Sequence, residues 1–557
     1  MTDGAALNYH WAWHLLDGLA AAGLTRVVIS PGSRSTPLAL AALRHPELTT
    51  RVVIDERSAA FFALGAAKAE RKPVALVATS GSAVANWMPA VVEADMARVP
   101  LILLSADRPP ELQDRGANQT MDQPGLFGGH VRARHALPPA ETGAGWLAEL
   151  AARAVAASLG PLPGPVHINL PFREPLVPGP GAASPPRAAA PRWLASTLHP
   201  DRAALDFLGT TLSSGAGAIV CGAEDLGDDF RRAVLDLASR LRVPVLADLL
   251  SGLRFDPGAG EAVLAHPDQV ARTAPTADWV LRFGGSPVSR PLAEWLGRCA
   301  GRPQIVVADH SRFIDASGTA TRILRADPAV LCRGVEAAPA PAPWLAGFVA
   351  RDRAAGAVAE RICAERRPFE GGFFRAMLRA LPEETPVFFG NSLAVRSAEW
   401  FAGRMPNRLR PFGNRGVSGI DGNLSTAFGI AATLGSAVAM VGDLAFLHDI
   451  NALALAPSAP LVVVVLDNGG GGIFDHLAQA GLPEFETGWL APQTLDIAAA
   501  CRAFALPCHR AGSVGEAVAA VLTGLAEGRA GVVNLPISRD VSLTQVRAFH
   551  SACGEGA

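Results

Sequence analysis

Short apolar, β-branched runs alternate along the chain with segments of helical periodicity. Runs of strand length occur at 26–30, 51–54, 74–78, 101–104, 218–221, 243–247, 279–283, 304–308, 387–389 and 531–535, and two more lie within 438–467. Helical patterns fill 59–69 and 83–94 between the early runs. Strands that are apolar throughout and separated by helices are typical of parallel sheets covered on both faces. The pattern predicts an α/β protein with three doubly wound parallel-sheet domains.

Two proline- and alanine-rich stretches, 178–192 and 337–343, lack any periodicity. Such compositions form stiff, extended linkers. A chain of 557 residues is also longer than one hydrophobic core usually supports. We therefore predict domains at 1–180, 193–336 and 344–557.

Composition narrows the class of protein. The net charge of −2 provides no overall basic field for nucleic acid or a membrane surface. Seven scattered cysteines without a CxxC pair favour neither a disulfide framework nor a zinc site, and they fit a reducing cytosol. The amino-terminal residues lack the pattern of a signal peptide, and the longest apolar runs are too short to span a membrane. We expect a cytoplasmic protein without a membrane span or a nucleic-acid partner.

The segment 438–474 carries the most chemistry. One apolar strand ends at Gly442 and Asp443, and the next ends at Asp467 and Asn468, followed by four glycines. Parallel sheets form ligand crevices at the carboxyl ends of their strands. A carboxylate and an amide oxygen suit Mg²⁺, and glycines let the backbone approach a ligand closely. An ordinary βαβ unit with an aspartate in its turn is the alternative at this point.

An acidic pair, Asp55 and Glu56, stands between the strand at 51–54 and a helix that we expect to begin near Ser58. Glu56 is a candidate functional carboxylate. Alternatively, both residues simply favour the positive end of that helix.

Arginines recur inside turn-like motifs that also contain small polar residues. They are Arg34 beside Ser33, Arg108 shortly before Asn118 and Gln119, Arg290, Arg396 beside Ser392, and Arg415 before Ile420. Guanidinium groups bind carboxylates in a bidentate manner, so converging arginines favour small substrates with several carboxylates. Taken alone, each of them would be interpreted as a solvated surface residue.

Several of these motifs together indicate a family. Gly442-Asp443-Leu444 with Asp467-Asn468 resembles the metal–diphosphate motif of thiamine-diphosphate enzymes, Gly-Asp-Gly followed by Asn-Asn, with Leu444 and Asp467 as departures. The segments SPGSRSTPLAL, DERSAAF, TSGSAVAN, SADRPPEL, GANQ, GNSLAVR, NRGVSGIDG and GDLAFLHDINAL occur in family order between Ser30 and Phe474. Jointly they closely resemble the 2-succinyl-5-enolpyruvyl-6-hydroxy-3-cyclohexene-1-carboxylate synthase family of menaquinone biosynthesis.

The resemblance implies a pyrimidine-binding, a central and a diphosphate-binding domain. It implies thiamine diphosphate with Mg²⁺, or Mn²⁺ as an alternative, as cofactors. The expected reaction is decarboxylation of 2-oxoglutarate and addition of the resulting succinyl carbanion to isochorismate, which gives the named product and CO₂. The resemblance also implies a homodimer or a dimer of dimers with active sites between subunits.

The resemblance assigns roles residue by residue. The catalytic candidates are Glu56, Gln119 and Arg34. The cofactor-binding candidates are Glu56, Ser392, Ile420, Gly442, Asp443, Asn468, Gly470, Ile473 and Phe474, of which Asp443, Asn468 and the carbonyl of Gly470 would bind the metal. The substrate-binding candidates are Ser33, Arg34, Arg108, Asn118, Gln119, Arg290, Arg396, Arg415 and Phe474. Leu444 belongs to the signature of this family, whereas the part played by Asp467 stays open. Arg290 is followed by Pro291, where the family often has a second basic residue.

Three other interpretations are weighed against this one. Another thiamine-diphosphate carboligase or decarboxylase, acting on a simpler 2-keto acid, would need fewer arginines. A cofactor-binding scaffold without activity would be favoured by a lost Glu56 or metal motif, and both are present. A nucleotide-dependent redox protein lacks support because no GxGxxG follows a strand.

Overall fold

The computed structural model describes residues 4–179, 183–187, 191, 194 and 196–554. Within them the chain forms three parallel sheets with helices around them, so the predicted fold class is confirmed. The predicted linker at 178–192 lies partly outside the described residues. No helix in the described part of the chain combines the length and the apolar character that crossing a membrane requires.

The first sheet is built from the amino-terminal third of the chain. Its strands are β1 Arg26–Ile29, β2 Thr49–Val52, β3 Val74–Ala78, β4 Leu101–Asp107, β5 Ala133–Ala136 and β6 Val166–Pro171. They are all parallel in the order β2-β1-β3-β4-β6-β5. The helices are α1 Gly4–Ala21, α2 Thr36–Arg44, α3 Glu56–Glu70, α4 Ser82–Ala85, α5 Met88–Met96 and α6 Trp146–Leu159. Every residue of β3 and β4 is buried, as expected for a sheet covered on both faces.

Two predicted elements of this region have different bounds. The strand expected at 51–54 lies at Thr49–Val52, because the chain turns at Asp55 to begin α3 and leaves Ile54 exposed. The helix expected at 83–94 is divided into α4 and α5. Pro89 stands in the first turn of α5, where its missing N–H is tolerated, whereas inside a continuous helix it would break the hydrogen-bond ladder.

The second sheet follows in the middle of the chain. Its elements are α7 Arg202–Leu212, β7 Ala218–Cys221, α8 Asp228–Leu241, β8 Val245–Ala247, α9 Pro267–Thr273, β9 Val280–Phe283, α10 Arg290–Arg298, β10 Gln304–Ala308, β11 Arg322–Arg325 and α11 Pro328–Gly334. The strands are parallel in the order β11-β10-β9-β7-β8.

The third sheet occupies the carboxyl-terminal part. Its elements are α12 Ala342–Cys363, α13 Glu370–Ala380, β12 Pro386–Phe389, α14 Leu393–Phe401, β13 Arg410–Phe412, α15 Asn423–Leu434, β14 Ala437–Gly442, α16 Asp443–His448, β15 Leu461–Asp467, α17 Ile497–Ala503, β16 Cys508–Arg510, α18 Val514–Glu527, β17 Gly531–Pro536 and α19 Arg539–Gly554. The strands are parallel in the order β13-β12-β14-β15-β17-β16. Segments of 3₁₀ helix at Leu249–Ser251, Leu253–Phe255, Ile450–Ser458 and Gly472–His476 connect some of the elements of the second unit and of the chain around it.

By their internal packing the described residues group into two compact units. The first unit contains the described residues of Met1–Ala195 with Asn414–Ser436 and His448–Pro460, and the second contains those of Ser196–Gly413, Ala437–Leu447 and Leu461–Ala557. The second and third sheets therefore share one unit, and α15 belongs with the first sheet. The domain bounds 1–180, 193–336 and 344–557 stay predictions.

Close packing of α15 on α3 accounts for its place in the first unit. A Cβ atom on Gly65 would lie 2.0 Å from the carbonyl oxygen of Thr426. In return, a Cβ atom on Gly429 would lie 2.0 Å from the carbonyl oxygen of Phe62. Each helix therefore places a glycine against the backbone of the other, and larger residues would force them apart.

Candidate active site

In the second unit, Asp443 and Asn468 lie at the carboxyl ends of two neighbouring strands. β14 and β15 are paired in register through Gly442 and Leu466, so the residues that follow them emerge side by side. Asp443 is buried, and one of its carboxylate oxygens accepts a hydrogen bond from the backbone N–H of Leu444 at 2.9 Å. This is the strand-end arrangement that the sequence predicts.

The environment of Asp443 disfavours an unpaired negative charge. Burial raises the pKa of Asp443 to about 6, the nearby charge of Asp467 adds to the rise, and backbone N–H groups that include Gly470 oppose it. A bound cation would reverse the balance and favour the ionised carboxylate. Asp467 thus lies close enough to act on Asp443 electrostatically.

Asn468 presents an oxygen that the protein does not use. Its Oδ1 is buried and has no hydrogen-bond partner among the described residues. Its Nδ2 donates to Oε1 of Glu370 at 3.4 Å, which directs the other end of the amide away from that carboxylate. Buried polar atoms are rarely left unsatisfied, so this oxygen fits a metal ligand.

The glycine run after Asn468 passes tightly against another backbone segment. Gly469 and Gly470 have φ angles of 76° and 138°. A Cβ atom on Gly470 would lie 2.3 Å from the carbonyl oxygen of Leu490, and the N–H of Gly471 donates to that same oxygen at 2.7 Å. Only glycine combines these φ angles with so close an approach. The carbonyl of Gly470 accepts one hydrogen bond from Gly472 and keeps a second lone pair for a cation.

These groups fit the metal part of a thiamine-diphosphate site. A carboxylate, an amide oxygen and a backbone carbonyl are hard oxygen donors, which suit Mg²⁺ or Mn²⁺. Mg²⁺ usually completes its shell with water and phosphate oxygens, so a diphosphate would supply the rest. Gly442 stands beside this corner, and a Cβ atom there would meet open space.

Ser392 has a strained backbone at the start of α14. Its φ of 68° and ψ of −129° are unusual for a residue with a Cβ atom. Its carbonyl accepts a hydrogen bond from Nη1 of Arg396 at 2.9 Å, one turn along the helix. Backbone strain of this kind concentrates at functional sites, which supports the prediction that Ser392 belongs to the site. Ile473 and Phe474 are half-buried in the turn Gly472–His476.

In the first unit, the two members of the acidic pair have different roles. Asp55 caps α3, because its side chain accepts hydrogen bonds from the N–H groups of Arg57 at 2.9 Å and Ser58 at 3.2 Å. Glu56 is the first residue of the helix and is half-buried. Among the described residues its carboxylate has no hydrogen-bond or ion-pair partner, so it is available to a ligand. Helix capping therefore accounts for Asp55 and not for Glu56.

Two buried arginines converge in the same unit. Arg34 donates from Nη1 to the carbonyl of Phe172 at 2.9 Å, and its Nη2 lies 3.2 Å from the exposed carboxylate of Glu174. Arg108 donates from Nη1 to Ser80, and its Nη2 lies 3.5 Å from both Asn118 Oδ1 and Gln119 Oε1.

Burial and then the charge of Arg34 lower the pKa of Arg108, which remains a cation. Because the two positive charges repel each other, an anion that binds between or beside them would be stabilised. Ser33 is exposed nearby, in the turn before α2.

A buried polar chain supports the loops around Arg108. The N–H of Gly81 donates to Gln123 Oε1 at 2.8 Å, and Nε2 of Gln123 donates to Asn169 Oδ1 at 2.9 Å. Nδ2 of Asn169 in turn donates to Asp107 Oδ2 at 2.8 Å. These fully paired side chains fix the ends of β3 and β4 from which the loops begin.

Ile420 and Arg415 lie in the turn that leads into α15. Both are half-buried. Gly422 has a φ of 61°, and a Cβ atom there would lie 2.0 Å from the ring of Phe61. The turn that carries Ile420 is thus held against α3, the helix that begins at Glu56.

Arg290 is exposed to solvent on α10. Its side chain is 86% exposed and pairs with Glu294 across 2.8 Å, one turn along α10. Among the described residues it makes no hydrogen bond to any other predicted site residue.

Sequence reasoning missed several buried polar residues that support the site. They are Lys68, Ser80, Glu93, Glu370, Asn414 and Ser542. Ser80 and Asn414 lie in or beside motifs that were recognised, TSGSAVAN and NRGVSGIDG. The acidic Glu93 interrupts an otherwise apolar stretch of α5, which was a usable indication. Nothing in the spacing of Glu370 or Ser542 marks them.

Comparison with known proteins identifies the family. The family models described as "Thiamine pyrophosphate enzyme, N-terminal TPP binding domain" and "Middle domain of thiamine pyrophosphate" match residues 10–126 and 192–389. The 2-succinyl-5-enolpyruvyl-6-hydroxy-3-cyclohexene-1-carboxylate synthase of Dechloromonas aromatica (strain RCB) is 44% identical over 91% of this chain and 94% of that protein. The chain belongs to this synthase family.

Other relatives agree with that assignment. Proteins of the same name from Geobacillus kaustophilus (strain HTA426) and Chloroflexus aurantiacus are 42% and 40% identical, and each alignment covers 88% of this chain and 88% or 87% of the relative. The crystal structure of benzoylformate decarboxylase from Polynucleobacter necessarius has a TM-score of 0.71 and 18% identity, covering 95% of this chain and 99% of that one. At that identity the likeness concerns the fold alone.

Proposed function

We propose that the protein decarboxylates 2-oxoglutarate and adds the resulting succinyl unit to isochorismate, the synthase reaction of menaquinone biosynthesis. The cofactors would be thiamine diphosphate and Mg²⁺, or Mn²⁺ in its place. Membership of the synthase family supports the reaction. The observation that carries the choice of substrates is the buried pair Arg34 and Arg108.

Two buried guanidinium groups favour substrates with several carboxylates. Burial removes these cations from water, and that cost is recovered when anions bind them through charge-assisted hydrogen bonds. Both 2-oxoglutarate and isochorismate are dicarboxylates. Asn118 and Gln119 already lie near Arg108 and could bind the polar groups of a substrate beside it.

The remaining roles follow the chemistry of each group. Bound thiamine diphosphate supplies a carbon nucleophile and an electron sink for the loss of CO₂. Glu56 would hydrogen-bond the aminopyrimidine ring and hold a proton there, and Ile420 would support the cofactor from its apolar side. Asp443, Asn468 and the Gly470 carbonyl would hold the metal, and Gly442 and Ser392 would contact the diphosphate end. Ile473 and Phe474 would form an apolar wall that limits the access of water.

The other substrate contacts rest on the family resemblance. Ser33, Arg396 and Arg415 would bind substrate together with Arg34, Arg108, Asn118 and Gln119, and Gln119 and Arg34 would also assist the chemical step. Arg290 is retained in this set on resemblance alone. We also propose a cytoplasmic homodimer or dimer of dimers, for which sedimentation of the holoprotein is the direct test.

The decisive experiment combines the protein, thiamine diphosphate, Mg²⁺, 2-oxoglutarate and isochorismate, and follows the absorbance of isochorismate. We expect its loss to require both 2-oxoglutarate and the cofactors. Pyruvate in place of 2-oxoglutarate is the matched control and should leave isochorismate intact. If an intact cofactor complex consumed pyruvate and left isochorismate unchanged, the function would instead be that of a carboligase or decarboxylase for a simpler 2-keto acid.

A further inference from the structure

A buried carboxylate holds the backbone on the carboxyl-terminal side of Arg415. Glu93, on α5, is 2% exposed. Its Oε1 accepts a hydrogen bond from the N–H of Gly416 at 2.9 Å, and its Oε2 accepts one from the N–H of Val417 at 2.7 Å. Two backbone donors on one carboxylate fix both the position and the direction of that segment.

A largely buried lysine, whose side chain is 11% exposed, holds the residue on the other side of Arg415. Nζ of Lys68, on α3, lies 3.4 Å from Glu93 Oε1 and donates to Asn414 Oδ1 at 2.8 Å. Nδ2 of Asn414 then donates to Thr426 Oγ1 at 2.9 Å. The residues before and after Arg415 are therefore tied to one buried ion pair.

Packing leaves this segment little freedom to move away. A Cβ atom on Gly416 would lie 2.6 Å from the carbonyl oxygen of Glu93, so the chain passes directly over α5. Burying an ion pair is costly, and a pair of apolar side chains would often be at least as stable. Apolar side chains could not bind two N–H groups and an amide, which is a reason for charged residues here.

Lys68 is remote from Glu56, the proposed catalytic carboxylate. It lies 12 residues after Glu56 on α3, which corresponds to about 18 Å along the helix axis. Burial lowers the pKa of Lys68, and the charge of Glu93 opposes that change, so the two groups support each other as an ion pair. Their influence on a substrate has to pass through the segment that they hold.

We propose that Glu93 and Lys68 are positioning residues for substrate binding, which hold residues 414–417 so that the Arg415 guanidinium meets a substrate carboxylate. This inference rests on the proposed function, in which Arg415 contacts substrate. It extends that function to two residues that touch neither substrate nor cofactor.

The test compares Glu93→Gln with wild type. Glutamine keeps the size of the side chain, but one of its two ends becomes a donor and cannot accept a backbone N–H. We expect the KM for a dicarboxylate substrate to rise about 10- to 100-fold, the effect of weakening one charge-assisted contact, while kcat changes far less. The affinity for thiamine diphosphate, followed by tryptophan fluorescence, should fall far less than KM rises, since the metal corner is untouched and Ile420 is the one proposed cofactor contact in the loosened turn.

Control variants distinguish a positioning role of Glu93 from a general loss of structure. Glu70→Gln removes the 2.7 Å ion pair between Glu70, the last residue of α3, and Arg26 on β1, and it should leave KM unchanged. Glu93→Asp keeps the charge beside Lys68 and both acceptor oxygens for the N–H groups of Gly416 and Val417, so it should raise KM less than Glu93→Gln. It also provides a second variant if Glu93→Gln fails to fold.

Amide hydrogen exchange of the protein without substrate provides a readout that does not depend on the reaction. Peptides that cover 414–420 should exchange faster in Glu93→Gln than in wild type or Glu70→Gln. If the wild-type protein does not consume isochorismate, the proposed function is wrong. The exchange result alone then tests whether Glu93 holds residues 414–417 in place. If wild type is active and Glu93→Gln changes neither KM nor exchange, the positioning role is wrong. The positioning role would also be wrong if the rise in KM were accompanied by a comparable loss of cofactor affinity and a lower melting temperature. That result would indicate a purely structural role.

Discussion

Asn468 donates a hydrogen bond from Nδ2 to Oε1 of Glu370 across 3.4 Å. Glu370 is 2% exposed, and its other oxygen accepts a hydrogen bond from the hydroxyl of Ser542 on α19. The carboxylate thus selects one orientation of the Asn468 amide and leaves the buried Oδ1 for a metal. Groups that orient metal ligands in this way contribute to metal affinity without touching the metal.

Replacing this carboxylate should weaken the binding of the metal. In Glu370→Ala the amide of Asn468 loses the acceptor that orients it, and we expect Mg²⁺ affinity to fall by about 10- to 100-fold. A Mg²⁺ titration of tryptophan fluorescence at saturating thiamine diphosphate measures this directly. Glu365→Ala, which removes a half-buried carboxylate in the connection between α12 and α13 that accepts a hydrogen bond from Gln545, is the control and should leave the titration unchanged. An unaltered midpoint in Glu370→Ala would show that Asn468 needs no such support.

Asp443→Ala should abolish the Mg²⁺-dependent retention of the cofactor. The variant removes the carboxylate at the end of β14, and a cation held by the remaining neutral oxygens would bind far more weakly. Asp467→Asn is the informative companion, because Asp467 acts on Asp443 only electrostatically in this structure. We expect a change of less than about tenfold for it, as befits one nearby charge. Equal losses in the two variants would make Asp467 a ligand as well.

Glu56→Gln should keep much of the cofactor affinity and lose turnover. A carboxylate that acts on a proton contributes about 10²- to 10⁴-fold, and an amide of the same shape cannot replace it. The measurement compares kcat and the fluorescence titration with thiamine diphosphate. Asp55→Asn is the control, since asparagine also caps helices well and α3 should persist. Near-normal turnover in Glu56→Gln would remove the proposed role.

The sequence predicts central strands better than edge strands. β5, β11, β13 and β16 were missed, and each lies at an edge of its sheet. An edge strand is covered on fewer sides, so it lacks a continuous apolar run, as in the mostly exposed residues of β11. β6 was missed for another reason. His167 and Asn169 interrupt its apolar pattern, because they belong to the buried polar network beneath Arg108.

Some residues of the candidate site could be predicted from the sequence, and others could not. Residues such as Glu56, Asp443 and Arg108 lie in contiguous motifs, where the local pattern of strand end, glycine and charged residue was visible. Glu93 and Glu370 act through contacts with residues 323 and 98 positions away in the chain. Their roles depend on tertiary packing, which leaves no regular spacing in the sequence.

His266 should make the stability of the protein depend on pH. The side chain is 2% exposed, and burial, followed by the charge of Arg254, lowers its pKa to about 3, while the carbonyl of Trp400 opposes this. That carbonyl lies 3.1 Å from Nδ1 and can only accept, so the neutral ring carries its proton on Nδ1. In the unfolded chain the pKa returns to about 6.5.

The stability contributed by neutral His266 is therefore complete above pH 6.5 and is lost as the pH falls towards 3. Below pH 6.5 the unfolded chain binds a proton that the folded chain does not, so acid favours unfolding. Between pH 7 and pH 5 this one group should lower the free energy of unfolding by about 2 kcal/mol. Denaturant unfolding measures this. Between pH 7 and pH 5 the free energy of unfolding of His266→Gln should fall by about 2 kcal/mol less than that of wild type. The control is His199→Gln, at an exposed position, which should show the wild-type pH dependence. An unchanged slope in His266→Gln would mean that the buried ring takes up its proton without unfolding.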